Sequence, residues 1–205
     1  SQWLGGFGGL MVAVAILPFF GAEREFADRS RLRGRRPMTP NRLTAMRNIV
    51  YLHGVVSVGT WIGYVLAGLG TFDALMVAMA TVSTGGMVDG DPFADPAVQY
   101  VAIAGMAVTG TSLVVLWRLV VGRTRGLMRS AELRAYLGLL VLGTALLLLW
   151  TGGSGPDGIR RAAFTVTAAV TTTGFPSAPA GIWATAAPVL LLGLVSIGPM
   201  TGSAG

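Results

Sequence analysis

Residues 72–90 read FDALMVAMATVSTGGMVDG, and residues 159–177 repeat the plan as IRRAAFTVTAAVTTTGFPS. In both, a short apolar run gives way to threonine and glycine. The runs Phe72–Val82 and Ile159–Val170 form helices about 16–18 Å long at 1.5 Å per residue, roughly half of a 30 Å hydrocarbon core. A half-span has to leave by the side it entered. Its non-helical return costs several kcal/mol for each unpaired backbone group that meets lipid, so it is stable only where protein or water surrounds it, as in a selectivity filter.

The bilayer is the right solvent for this chain. Of 205 residues 53% are hydrophobic and only 12% charged, and the mean hydropathy of +0.66 lies outside the soluble range. With no cysteine, disulfides, thiolate metal sites and cysteine nucleophiles are excluded. The net charge of +6 is not spread as a nucleic-acid surface would be. Residues 21–48 hold eight arginines against three acids, residues 117–134 hold five against one, and residues 71–96 hold only Asp73, Asp89, Asp91 and Asp95. The positive-inside rule puts both arginine loops in the cytoplasm of a plasma membrane and the acidic segment outside. There the arginines set topology and meet anionic lipid. The chain opens without Met and without a basic region before its first apolar run, which argues against a signal peptide; we read it as a segment of a longer protein.

Full-length apolar stretches flank the half-spans, and the expected fold is an all-α polytopic membrane protein of repeated helix–pore helix–helix units with extended filter loops. Residues 1–20 form the outgoing helix of a first repeat, and 21–47 a cytoplasmic loop. The second repeat covers 48–121, with helix 48–70, pore helix 72–82, filter 83–87 and helix 97–121. After a loop at 122–134, a third repeat covers 135–205, with helix 135–152, pore helix 159–170, filter 171–175 and an incomplete helix 182–205. A shift of 88 residues superposes Gly86 on Gly174, Thr84 on Thr172, Val82 on Val170, Gly105 on Gly193 and Gly110 on Gly198. Two full units, a trailing helix and an unfinished end imply at least three repeats, with four expected from the symmetry of cation filters.

A small cation is dehydrated by oxygens at fixed distance that carry little net charge, a demand met by backbone carbonyls on an extended strand. Gly86 and Gly174 supply the permissive backbone, while the hydroxyls of Ser83, Thr84, Thr171, Thr172 and Thr173 line or brace it. Pore-helix C-termini near Val82 and Val170 aim partial negative charge at the ion, and Asp89, Asp91 and Asp95 concentrate cations at the mouth. Gly5, Gly6, Gly8, Gly9, Gly105 and Gly110 are assigned to helix packing. His53 is read as a packed residue, and Trp3, Trp61, Trp117, Trp150 and Trp183 as interfacial or packing aromatics. A membrane-embedded enzyme would need paired acids or histidines inside its spans; the acids here lie in loops, and no catalytic residue is assigned.

The ordered series resembles the pore subunits of Trk/Ktr/HKT-type potassium transporters. QWLGGFGGLMVAVAILP looks like the outgoing helix of that family's first repeat, FDALMVAMATVSTGGM like its second pore helix and filter, and AAVTTTGFPS like its third filter. SIGPMTGSAG is similar to the start of the glycine- and serine-rich break in the third outgoing helix. The resemblance covers essentially all 205 residues. It implies potassium uptake through a four-repeat pore, with filter roles for Ser83, Thr84, Gly85, Gly86, Thr171, Thr172, Thr173 and Gly174. It also implies an intramembrane gating loop at Gly198, Gly202, Ser203 and Gly205, a homodimer, and cytoplasmic RCK-type regulatory subunits sensitive to ATP/ADP or NAD(H). K+ is the transported ion, with Na+ or H+ as further candidates, and no covalent cofactor is expected. The first filter and the fourth repeat are missing, so these residues alone would not close a pore. Pro199 and Met200 depart from the small residues usual at that break. Two alternatives share the repeats: the potassium-binding subunit of a P-type ATPase complex, and a Na+-conducting member of the same family.

Overall fold

The computed structural model describes residues 3–6, 8, 42–111, 115–116, 130–152, 155–175 and 187–197. Most of the opening helix, most of both arginine loops and the gating-loop residues Gly198, Gly202, Ser203 and Gly205 lie outside them. Among the described residues every regular element is an α-helix: α1 (Arg42–Leu66), α2 (Thr71–Val82), α3 (Pro96–Thr109), α4 (Ala131–Thr151), α5 (Gly155–Val170) and α6 (Ala187–Ile197).

Exposure identifies the solvent. On α1, Tyr51, Val55, Val58 and Ile62 recur at helical spacing and are exposed, as are Val141, Leu142, Leu149 and Trp150 on α4. Such apolar stripes would aggregate in water but suit lipid. One helix among the described residues, Leu133–Thr151, is by itself long and apolar enough to cross a membrane, and only 22% of it is buried. Hydroxyls inside the helices are satisfied locally: Thr60, Thr144 and Thr151 each donate to the carbonyl four residues back, the arrangement a low-dielectric setting demands. The chain is an all-α polytopic membrane protein.

Helix ends follow local chemistry. Asp95 caps α3, its carboxylate accepting from Ala97 N at 2.7 Å with Pro96 opening the first turn. Ser130 caps α4, which therefore starts at Ala131, ahead of the apolar stretch at 135. Gly155 opens α5 four residues before its apolar run. At 16 residues, or about 24 Å, α5 is longer than the half-span expected from hydropathy.

One expectation fails. The span at 97–121 is not a continuous helix: α3 stops at Thr109, Gly110 and Thr111 form a turn, and residues 115–116 are helical again. Thr109 Oγ1 turns back to the Gly105 and Met106 carbonyls and Thr111 Oγ1 to that of Val108. These hydroxyls compete with onward helical bonding.

The first unit packs α1 against α2 and α3, the second packs α4 and α6 against α5, and the units join where α3 lies along α5. One core cluster runs through that junction, combining Tyr64, Val77, Met106, Phe93, Phe164 and Phe175. A second, around Leu147, Val166 and Leu194, belongs mainly to the second unit. At the end of α2, Thr81 Oγ1 donates to Val77 O at 2.7 Å. Having spent its one proton there, it accepts from Tyr64 Oη at 2.8 Å, with both residues fully buried. Tyr64→Phe leaves the cavity shape intact and removes this link, and should cost about 1–2 kcal/mol, read as a lowered unfolding midpoint of the purified protein in detergent.

Candidate functional site

Both pore helices end in the same turn. After α2, Ser83 N donates to Met79 O and Thr84 N to Thr81 O; after α5, Thr171 N donates to Thr167 O and Thr172 N to Ala169 O. Each partner is shifted by 88 residues. Ser83 Oγ and Thr171 Oγ1 likewise donate to the Met79 and Thr167 carbonyls at 2.7 and 2.8 Å. The helices then release the chain through left-handed residues, Thr84 (φ 51°) and Gly86 (φ 65°) in one strand, Thr172 (φ 57°) and Gly174 (φ 71°) in the other. A β-branched residue in this region is strained. Its occurrence twice at the same offset shows that the duplication is one of backbone conformation as well as of residue type.

The expected filter residues are thus brought together. A Cβ built on Gly86 would stand 1.9 Å from the Thr173 carbonyl oxygen, so the strands 83–87 and 171–175 run in direct contact, and only glycine permits it. The hydroxyls brace the strands. Thr171 Oγ1 gives its proton to Thr167 O and so accepts from Thr173 Oγ1 at 2.8 Å, while Thr172 Oγ1 donates to Thr171 O. The hydroxyls of Ser83, Thr171, Thr172 and Thr173 are thus engaged within their own segments.

The surroundings press on this pair from several sides. Gly6 approaches Ser83, its built Cβ 3.3 Å from Ser83 Cβ, and Gly105 meets Thr81 and Thr60 at 3.1 and 3.2 Å. Gly110, at the break in α3, would place a Cβ 2.6 Å from both Thr171 Cγ2 and Tyr136 Oη, and Tyr136 Oη donates to Ala107 O. The break in α3 therefore abuts the start of the second strand. Gly5 and Gly8 have no such neighbour among the described residues, and Gly9 lies outside them. His53 is buried with its ring 5.0 Å from that of Trp3, away from the strands.

Of the mouth acids, Asp89 and Asp91 are exposed and border a cleft of about 880 Å3 together with Asp73, Met76, Met87 and Trp3. Asp95 is the cap of α3. Two buried polar residues went unnoticed in the sequence: Arg160 on α5 and Gln99 on α3, hydrogen-bonded to each other at 3.0 Å. Arg160 stands with Arg161 near the start of one apolar run and Gln99 inside another, and these interrupting polar residues were the only available signal.

Left-handed geometry alone should make Gly174→Ala cost about 1–2 kcal/mol. Gly86→Ala adds the collision with Thr173 O and should lower the unfolding midpoint in detergent clearly further; equal losses would mean that the strands are not in contact.

No family model matches the chain. Its whole length aligns with the Trk system potassium uptake protein TrkH of Halomonas elongata at 29% identity and with TrkH of Escherichia coli, also at 29%. The chain spans 45% of the length of each. The crystal structure of the potassium transporter TrkH from Vibrio parahaemolyticus superposes on 94% of the chain, and on 41% of its own, with a TM-score of 0.76 and 25% identity. Along its whole length in sequence, and in its fold, the chain is similar to the TrkH-type pore subunit of Trk potassium transporters.

Proposed function

We propose that the chain forms the second and third quarters of a potassium-uptake pore in a bacterial plasma membrane, with strands 83–87 and 171–175 as two of four filter segments. The observation that carries this is the contact between Gly86 and the Thr173 carbonyl. Two segments with left-handed residues at equivalent positions, each at the C-terminus of a helix, come into contact there, which supports a filter lined by backbone carbonyls. The relatives' names as potassium uptake proteins support K+ as the ion. The site residues are Ser83, Thr84, Gly85, Gly86, Thr171, Thr172, Thr173 and Gly174. K+ entering from the side of Asp89 and Asp91 exchanges water for strand carbonyls, with the negative ends of α2 and α5 lowering the cost of dehydration. Asp95, being a helix cap, contributes to the mouth only through its charge.

Gating is assigned to Gly198, Gly202, Ser203 and Gly205, beyond the end of α6. Support comes from the second repeat, whose helix breaks at Gly110, 88 residues before Gly198, directly against the strand at Thr171. The arginine loops face the cytoplasm, where RCK-type subunits dock on a homodimer.

Liposomes containing the full-length polypeptide should take up K+ and Rb+ over Na+. Gly174→Ser should abolish that uptake or its selectivity, and unaltered flux in the variant would remove the strand from the filter. Asp89→Asn with Asp91→Asn should lower K+ influx about two- to five-fold at low ionic strength, and the difference should vanish near 0.5 M salt as screening replaces the lost field.

A further inference from the structure

Arg160 is a charged side chain in an apolar helix bundle, 8% exposed, one residue into what hydropathy reads as a half-span. A guanidinium there is stable only if its N–H groups are met. Nε donates to Gln99 Oε1 at 3.0 Å, and NH1 pairs with Asp157, whose carboxylate is largely exposed. Gln99 is buried too and passes the contact on, its amide donating to the Phe93 carbonyl at 2.6 Å. Phe93 lies in the acidic loop between Asp91 and Asp95. Its ring sits 5.0 Å from that of Phe164, one turn beyond Arg160 on α5, and 4.7 Å from that of Phe175. Phe175 follows Gly174 directly. A continuous path therefore leads from Arg160 through Gln99 and Phe93 to the end of the second strand, and it crosses from one unit to the other twice.

The strand itself explains why such a path is needed. Its first half is tied to α5 by Thr171 Oγ1 to Thr167 O and Gly174 N to Ala168 O, and is braced internally by the Thr171–Thr173 and Thr172–Thr171 bonds. Its far end has Phe175, 4% exposed, with its ring 4.7 Å from Phe93 and 6.5 Å from Phe164. If Phe93 shifts, Phe175 loses one wall and the Gly174 carbonyl is free to turn.

We propose that Arg160, Gln99 and Phe93 form a positioning relay that holds the Gly174–Phe175 end of the strand, and that this relay sets how sharply the strand discriminates K+ from Na+. The first half stands on geometry alone; the second rests on the pore reading above. An arginine is suited to the role because its planar fork presents Nε and NH1 to two acceptors in fixed directions, a geometry that the rotatable ammonium of lysine does not preset.

The test uses the full-length protein in nanodiscs and liposomes, with two readouts. One is amide hydrogen exchange in peptides covering 171–175, against peptides from α1 as control. The other is the K+/Na+ flux ratio. Gln99→Leu removes both of its hydrogen bonds at nearly constant volume, and Arg160→Lys keeps the charge but not the fork. In each, exchange at 172–175 should rise about five-fold or more, as the loss of a buried hydrogen bond allows, with α1 unchanged and the K+/Na+ ratio lowered several-fold. Unchanged exchange at 172–175 overturns the relay. Raised exchange with an unchanged ratio overturns its role in selectivity. Raised exchange in a protein whose wild type passes no cation leaves the relay standing and refutes the pore reading instead. If neither variant folds, Phe93→Leu carries the same readouts; exchange rising throughout in that variant as well would reduce the network to scaffold and overturn the proposal.

Discussion

Two short lengths of non-helical backbone, 83–87 and 171–175, have to exist inside a helical bundle surrounded by lipid, where each unsatisfied N–H or C=O costs several kcal/mol. The rest of the structure follows from that requirement. Each strand is introduced by a helix that ends on a hydroxyl-braced turn, so the first amides after Val82 and Val170 are paired within their own helix. Each strand is then pressed against protein: the first against Gly6 and against its twin at Thr173, the second against Gly110 and the Phe93–Phe164–Phe175 cluster. Longer helices with exposed apolar stripes stand outside and face the lipid.

Strain and packing are coupled here. Left-handed threonine is costly wherever it occurs, yet Thr84 and Thr172 both adopt it. The fixed helix ends and the close inter-strand contact leave the chain no relaxed way out. Glycine at 86 serves two needs at once, a positive φ and room for a neighbouring carbonyl. Position 110 is restricted in a similar way: a Cβ there would collide with Thr171 and Tyr136, so only glycine fits where α3 ends.

Much of this was legible in the amino-acid order. Two apolar runs of half-span length, each followed by threonine and glycine at an 88-residue offset, already imply a membrane-embedded bundle with filter-like returns. The acidic and arginine-rich segments imply its topology. Helix termini were legible only roughly, because caps such as Ser130 and Asp95 act one or two residues at a time while hydropathy is averaged over a window. The break at Gly110 was not legible. Its residues, GTS within an otherwise apolar run, are ordinary for a packed transmembrane helix, and the neighbour that requires glycine there, Thr171, lies 61 residues further along.

Composition, periodicity and internal repetition thus determined the solvent and the class of fold, since each depends on local lengths and on the transfer of side chains between water and lipid. Tertiary structure decided what depends on neighbours distant in sequence. It decided that Gly86 meets the Thr173 carbonyl, that Asp95 is a cap, that the hydroxyls of Thr171, Thr172 and Thr173 brace their own segment, and that Arg160 is buried against Gln99. These outcomes follow from which backbone atoms come within hydrogen-bond or van der Waals range once α3 is packed along α5, and no pattern of residue types along one chain specifies that distance.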